Sequence, residues 1–152
     1  MAINPNTDFS SGAVLTAAQQ NRFPRGVMAF GQASANSSIT LTETTQITAS
    51  AFTAVANRYY RIIYYEPTAS PAAGAGSYIN LLIKNGATQL QIATIQNTGA
   101  TQSANGIIVQ LVTTFSAGSV TLTARASGTA GGFLYRASAQ LGQLTVEDIG
   151  PS

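Results

Sequence analysis

The side chains of this chain that could do acid–base or charge chemistry are few: the cations Arg22, Arg25, Arg58, Arg61, Lys84, Arg125 and Arg136, and the carboxylates Asp8, Glu43, Glu66, Glu147 and Asp148. Histidine, cysteine and tryptophan are absent. General acid–base catalysis needs two ionisable groups of suitable pKa held together, and a serine nucleophile needs a base. Without imidazole, the pair to consider is Glu147 and Asp148, but neighbours on a strand point to opposite faces and cannot share a substrate. Lys84 lies beside Asn85-Gly86, a turn signal, where a lysine is expected to be solvated rather than activated. Thiolate zinc sites and disulfides are ruled out by composition, and Asp8, Glu43 and Glu66 follow no calcium-loop spacing. The glycines at 74, 76, 128, 131 and 132 do not sit between a strand and a helix, so they read as turns rather than a phosphate cradle. The chemistry-bearing residues predict no enzyme, no cofactor, no metal and no small-molecule substrate.

Charged residues make up 8% of 152 residues, against about a quarter in an ordinary globular domain. A net charge of +2 from scattered cations neutralises few phosphates, which argues against nucleic-acid binding. No apolar run approaches the roughly 18 residues needed to span a bilayer, and Met1 to Pro5 has neither the basic start nor the apolar run of a signal peptide. The expectation is a protein with no membrane contact, made in the cytoplasm.

The elements that position these residues divide at about residue 26. Residues 1–26 read as an extended arm with loop chemistry at Asn4-Pro5-Asn6 and Ser10-Ser11-Gly12. One short helix is expected within Leu15 to Arg22, with Thr16 and Gln19 as a capping box and Pro24-Arg25-Gly26 as its stop. Ile3, Phe9, Val14, Leu15 and Phe23 are spaced for docking onto a surface.

Residues 27–152 read as one all-β domain. Val120, Leu122, Ala124 and Ala126 alternate with polar residues, the signature of a sheet with one buried face. Asn85-Gly86 predicts a tight hairpin between strands at 78–84 and 88–95, with both residues at positive φ. Further strands are expected at 27–33, 38–41, 46–55, 59–66, 106–115, 132–137 and 140–149. Many short strands with no internal helix predict an antiparallel β-sandwich, a jelly roll before an immunoglobulin-like sandwich. The intervening loops 67–77 and 96–105 read as inert surface.

Two strands are apolar on both faces. Tyr59, Arg61, Ile63 and Tyr65 alternate with Tyr60, Ile62 and Tyr64, and Ile108 and Val112 alternate with Ile107, Val109 and Leu111. One sheet of a sandwich covers one face, so a second partner is implied. The expected subunit interface is Tyr60, Ile62, Tyr64, Ile108 and Val112, with the arm folding back over the tyrosine face as the alternative. Arg58 and Arg61 could stack on the tyrosines or bridge to Glu66, while Arg22 and Arg25 have Asp8 as their only nearby carboxylate.

The segment from Gly12 to Val27, which includes Thr16-Ala17-Ala18-Gln19-Gln20-Asn21-Arg22-Phe23-Pro24-Arg25-Gly26, resembles the start of small virion structural proteins of tailed bacteriophages. The ending Leu144-Thr145-Val146-Glu147-Asp148-Ile149-Gly150-Pro151 resembles their end. The strands at Asn57 to Ile62 and Val120 to Gly128 are similar to the same group. The resemblance implies a jelly-roll capsid cement or decoration protein, or a fibre or tail component. A cement protein of this kind would be a homotrimer bound to the major capsid protein on the outer surface of the virion. Phe9, Leu15, Arg22, Phe23 and Arg25 of the arm would then contact coat protein. The alternative is a tail or fibre module recognising host glycans, with Tyr135 beside Gly131-Gly132-Phe133 as the aromatic outside the expected core.

Overall fold

In the computed structural model the described residues are 12, 14, 16–21, 23–102 and 104–152. The fold is an antiparallel β-sandwich. A four-residue helix, α1 (Ala17–Gln20), is followed by β1 (Gly26–Ala33), β2 (Ser37–Ser38), β3 (Thr44–Thr48), β4 (Phe52–Ala54), β5 (Arg58–Ser70) and β6 (Tyr78–Asn85). Then come β7 (Thr88–Gln96), β8 (Asn105–Thr114), β9 (Gly118–Val120), β10 (Leu122–Gly128), β11 (Phe133–Leu134) and β12 (Gly142–Pro151). Thr16 caps α1 as its spacing predicts: its hydroxyl accepts from the Gln19 amide, and the Gln19 side chain accepts from the Thr16 amide.

One layer runs β1-β12-β5-β8, with β11 and β2 appended where β5 extends past β12; the other runs β3-β10-β6-β7. Numbering the eight principal strands in chain order gives first-eighth-third-sixth over second-seventh-fourth-fifth. That is the double Greek key of a jelly roll, which meets the sequence expectation. A two-stranded ribbon of β4 and β9 closes one end, where Phe52 and Phe115 pack around Tyr60 with ring centroids 5.5 Å from it.

Alternation decides which side chains face inward. Along β5, Tyr60, Ile62 and Tyr64 are fully buried, as are Ile79, Leu81 and Ile83 of β6, Leu122 of β10, and Leu144 and Val146 of β12. Each large apolar side chain removed from water in this way contributes about 1.5–3 kcal/mol. The expected strand at 46–55 is split into β3 and β4, because the chain leaves the sandwich between them to join the ribbon. The hairpin at Asn85-Gly86 is present, but in a different register. Asn85 is the last strand residue, paired with Thr88, and the two-residue loop is Gly86-Ala87. Of the pair expected at positive φ, only Gly86 has it, at 58°, so glycine occupies the first loop position as in a type II′ turn. Gly128 is no turn either: it lies in β10, where a Cβ would come 2.2 Å from the Tyr78 carbonyl oxygen.

Candidate interaction surface

Strand register places the outward side chains of the β1-β12-β5-β8 layer in rows. Gln32, Gln143, Tyr65 and Ile108 form one row; Phe30, Thr145, Ile63 and Gln110 the next; Val27, Glu147, Arg61 and Val112 a third. Val27, Phe30, Tyr65, Ile108 and Val112 are all exposed, Ile108 by 64% and Val112 by 50%. Four strands about 4.8 Å apart and three rows about 7 Å apart cover roughly 400 Å². Six of these twelve positions are apolar: Ile63, Tyr65 and Ile108 adjoin one another, Val27 and Phe30 lie together on β1, and Val112 stands at a corner, with Gln, Thr and the Arg61–Glu147 pair between them. The charged pair is self-compensating, since Arg61 Nε donates to Glu147 Oε2 at 2.8 Å.

This arrangement corrects the expected interface. Tyr60, Ile62 and Tyr64 have no exposed surface; they fill the core between the two layers and cannot touch a second subunit. Ile108 and Val112 lie opposite Tyr65 and Arg61, so they share a face with the other half of the tyrosine strand. Two-sided apolarity was legible in the sequence, but which side faces inward was not.

The described part of the arm is docked by a buried ion pair. Arg58 donates from Nε to Asp148 Oδ2 at 2.5 Å and from Nη2 to Asp148 Oδ1 at 2.7 Å. The same guanidinium reaches the Asn21 carbonyl at 2.5 Å and the Phe23 carbonyl at 2.6 Å. Asp148 also accepts from the Gly150 amide at 2.9 Å, fixing the bulge in β12. Of the expected coat-protein contacts, Phe9, Leu15 and Arg22 lie outside the described residues, Phe23 is 40% exposed and Arg25 is exposed. Glu147 and Asp148 point to opposite faces, as their adjacency on a strand requires.

Glu66 is not the partner of Arg58 or Arg61. It is sealed in the interior and held by Arg136, whose Nε donates to Oε2 at 3.0 Å and whose Nη2 donates to Oε1. The Tyr64 hydroxyl donates to the same Oε1 at 2.7 Å. Arg136 also reaches the Ala35 carbonyl at 3.1 Å, and its amide donates to Asn36 Oδ1 at 2.7 Å, tying two connections together. Burial, the Glu66 charge and this hydrogen bond push the Tyr64 phenol well above its ordinary value. For Arg136, burial alone would lower the pKa, but hydrogen bonding and charge from Glu66 leave it raised.

On the opposite layer Lys84 is largely buried rather than solvated. Its Nζ donates to both Glu43 oxygens at 3.0 and 3.3 Å, and Arg125 joins the same carboxylate at 2.9 Å. Among the described residues, Glu43, Glu66, Glu147 and Asp148 are each engaged by a cation. No group of three or more acidic residues could hold a metal among them.

The two long loops are not independent. Asn97, buried, donates from Nδ2 to the carbonyls of Ala72 and Thr101 at 3.1 and 2.8 Å, stitching one loop to the other. Near β11, Phe133 and Tyr135 pack with centroids 4.8 Å apart at 37°, and Tyr135 is 44% exposed. A cavity of about 310 Å³ at the β4–β9 end is lined by Ala56, Asn57, Thr114, Phe115, Ser116 and Ser152, none of them ionisable side chains.

No protein-family model matches the chain, and no curated protein matches it in sequence. Among solved structures it is similar to the carbohydrate-binding module CBM6cm-2 from Cellvibrio mixtus lichenase 5A in complex with cellotriose, at 18% identity and a TM-score of 0.28. The alignment covers 83% of this chain and 98% of that one.

Proposed function

We propose that this chain is a non-catalytic structural protein of a bacteriophage virion, a cement or decoration protein that binds coat subunits on the outside of the shell. The observation that supports this reading best is the outer face on which Ile63, Tyr65 and Ile108 adjoin one another, with Phe30 and Val112 exposed on its two edge strands. A stable interface needs about 800 Å² from each partner. The face offers roughly half of that, so attachment requires a second element, and the arm latched by Arg58 supplies it. A protein that binds only assembled shells stabilises them by mass action. The test is co-sedimentation with empty shells of the phage. A Phe30→Ser/Tyr65→Ser variant should remain folded yet lose attachment, and shells carrying the wild-type protein should open at a higher temperature than bare shells. Equal attachment by the variant, or equal opening temperatures, removes the reading.

Exposed Tyr135, packed against half-buried Phe133, favours a second reading, a glycan-binding module of a tail or fibre, because sugars stack on exposed aromatic faces. Here Tyr135→Ala would abolish adsorption to host cells while leaving particle robustness unchanged. The cement reading requires that Tyr135→Ala leave both adsorption and robustness unchanged.

A further inference from the structure

We propose that β8 is an assembly edge, pairing antiparallel with β8 of a second copy of this chain across a twofold axis at Gln110. A sheet edge exposes a row of unpaired amides and carbonyls, and natural proteins blunt it with lysine, proline, bulges or a covering segment. The two edges of the β1-β12-β5-β8 layer differ in this respect. At β1 the backbone of Phe30 is capped, its carbonyl accepting from the Ser50 amide at 3.1 Å and its amide donating to Ser50 Oγ at 3.3 Å. At β8 no described strand pairs with the outer side, although the strand runs from Asn105 to Thr114. Lysine and proline are missing from the strand as guards, because from Asn85 to Ala124 the sequence has no Asp, Glu, Lys, Arg or Pro.

The strand is complementary to itself. A twofold axis at Gln110 sets Ile108 opposite Val112 of the second copy, and Val112 opposite its Ile108. These are the most exposed apolar side chains of β8, and both point outward from the layer. On the inner side, Val109 falls opposite Leu111. Antiparallel pairing of a strand with its own copy is the isologous arrangement that a twofold axis generates. With no charge on either strand, no like-charge repulsion opposes it. Pairing would also join the two outer faces edge to edge into one broad surface for a common partner. The threefold assembly implied by the phage resemblance offers no such pairing, since a strand pairs antiparallel with its own copy only across a twofold.

The experiment is the mass of the full chain in solution by sedimentation equilibrium, together with two variants at these exposed positions. The wild-type chain should have about twice its 15.6 kDa monomer mass. Ile108→Lys/Val112→Lys places introduced lysines opposite each other and should halve the mass while leaving the circular dichroism spectrum unchanged. Ile108→Lys/Val112→Glu places each introduced lysine opposite an introduced glutamate and should restore the dimer. A monomeric or trimeric wild type overturns the proposal, as does a lysine–glutamate variant that behaves like the double lysine, or a double lysine that stays dimeric. Co-sedimentation with shells reports separately: attachment by a monomer leaves the cement reading standing without this edge, and a dimer that ignores shells does the reverse.

Discussion

Glu66 and Arg136, 70 residues apart in sequence, close an ion pair with both side chains buried, and Tyr64 completes it from the same strand as Glu66. Charges taken out of water need every partner they have. Removing one partner leaves the other uncompensated, which costs about 3–5 kcal/mol. Glu66→Gln should therefore lower the unfolding free energy by that amount, read as a lower urea midpoint at an unchanged m-value, the sign of lost stability within a two-state transition. A Glu66→Gln/Arg136→Met double variant should recover much of the loss, because no buried charge is then left alone.

Tyr64 makes the same network sensitive to alkali. Its folded pKa is raised while an unfolded tyrosine titrates near pH ~10. A raised folded pKa gives stability that is complete below the unfolded value and is lost as pH climbs through the folded one. Thermal unfolding midpoints should hold up to pH ~10 and then fall. Tyr64→Phe should start lower, by about 1–3 kcal/mol for the partner left without its bond, and decline less steeply above that pH.

Asp148 controls the arm through Arg58. With Asp148→Asn the guanidinium loses its counter-charge, and its hold on the carbonyls of Asn21 and Phe23 weakens. Limited trypsin digestion should cut after the exposed Arg25 several-fold faster in the variant than in the wild type, with the sandwich itself still resistant. Equal cleavage rates would mean the arm is held elsewhere.

Gly128 is required for space rather than for a turn. A methyl group there meets the backbone of Tyr78 and Ile79 at 2.2 to 3.0 Å, and rigid neighbours cannot yield. Gly128→Ala should cost about 1–3 kcal/mol in chemical denaturation. Gly99→Ala is the control: nothing lies closer than 4.0 Å to the added carbon, so its effect should stay within about 0.5 kcal/mol.

Much of the fold was legible because strand periodicity is a local property. The alternation in 120–127, the capping box at Thr16 and Gln19, and the position of the β6–β7 hairpin all depend on neighbours within a few residues. The partners of the charged residues were not legible. Arg58 and Asp148 are 90 positions apart, Glu66 and Arg136 are 70, and Lys84 and Glu43 are 41, so no local pattern ties them. One signal was available in hindsight: in a chain so poor in charge, a glutamate two residues beyond Tyr64 on an apolar strand face has to meet a cation inside.

The sequence by itself determined that this protein is all-β, poor in charged residues and without histidine or cysteine, and apolar on both sides of two strands, because composition and period-2 alternation need no tertiary information. Only the tertiary structure decided which side of those strands is the core. Tyr60, Ile62 and Tyr64 and the residues Ile108 and Val112 belong to strands apolar on both sides, and only pairing register assigns them to opposite faces. The Greek-key order likewise leaves β1 capped by Ser50 and β8 without a described strand on its outer side, a consequence of which strands become neighbours across the chain.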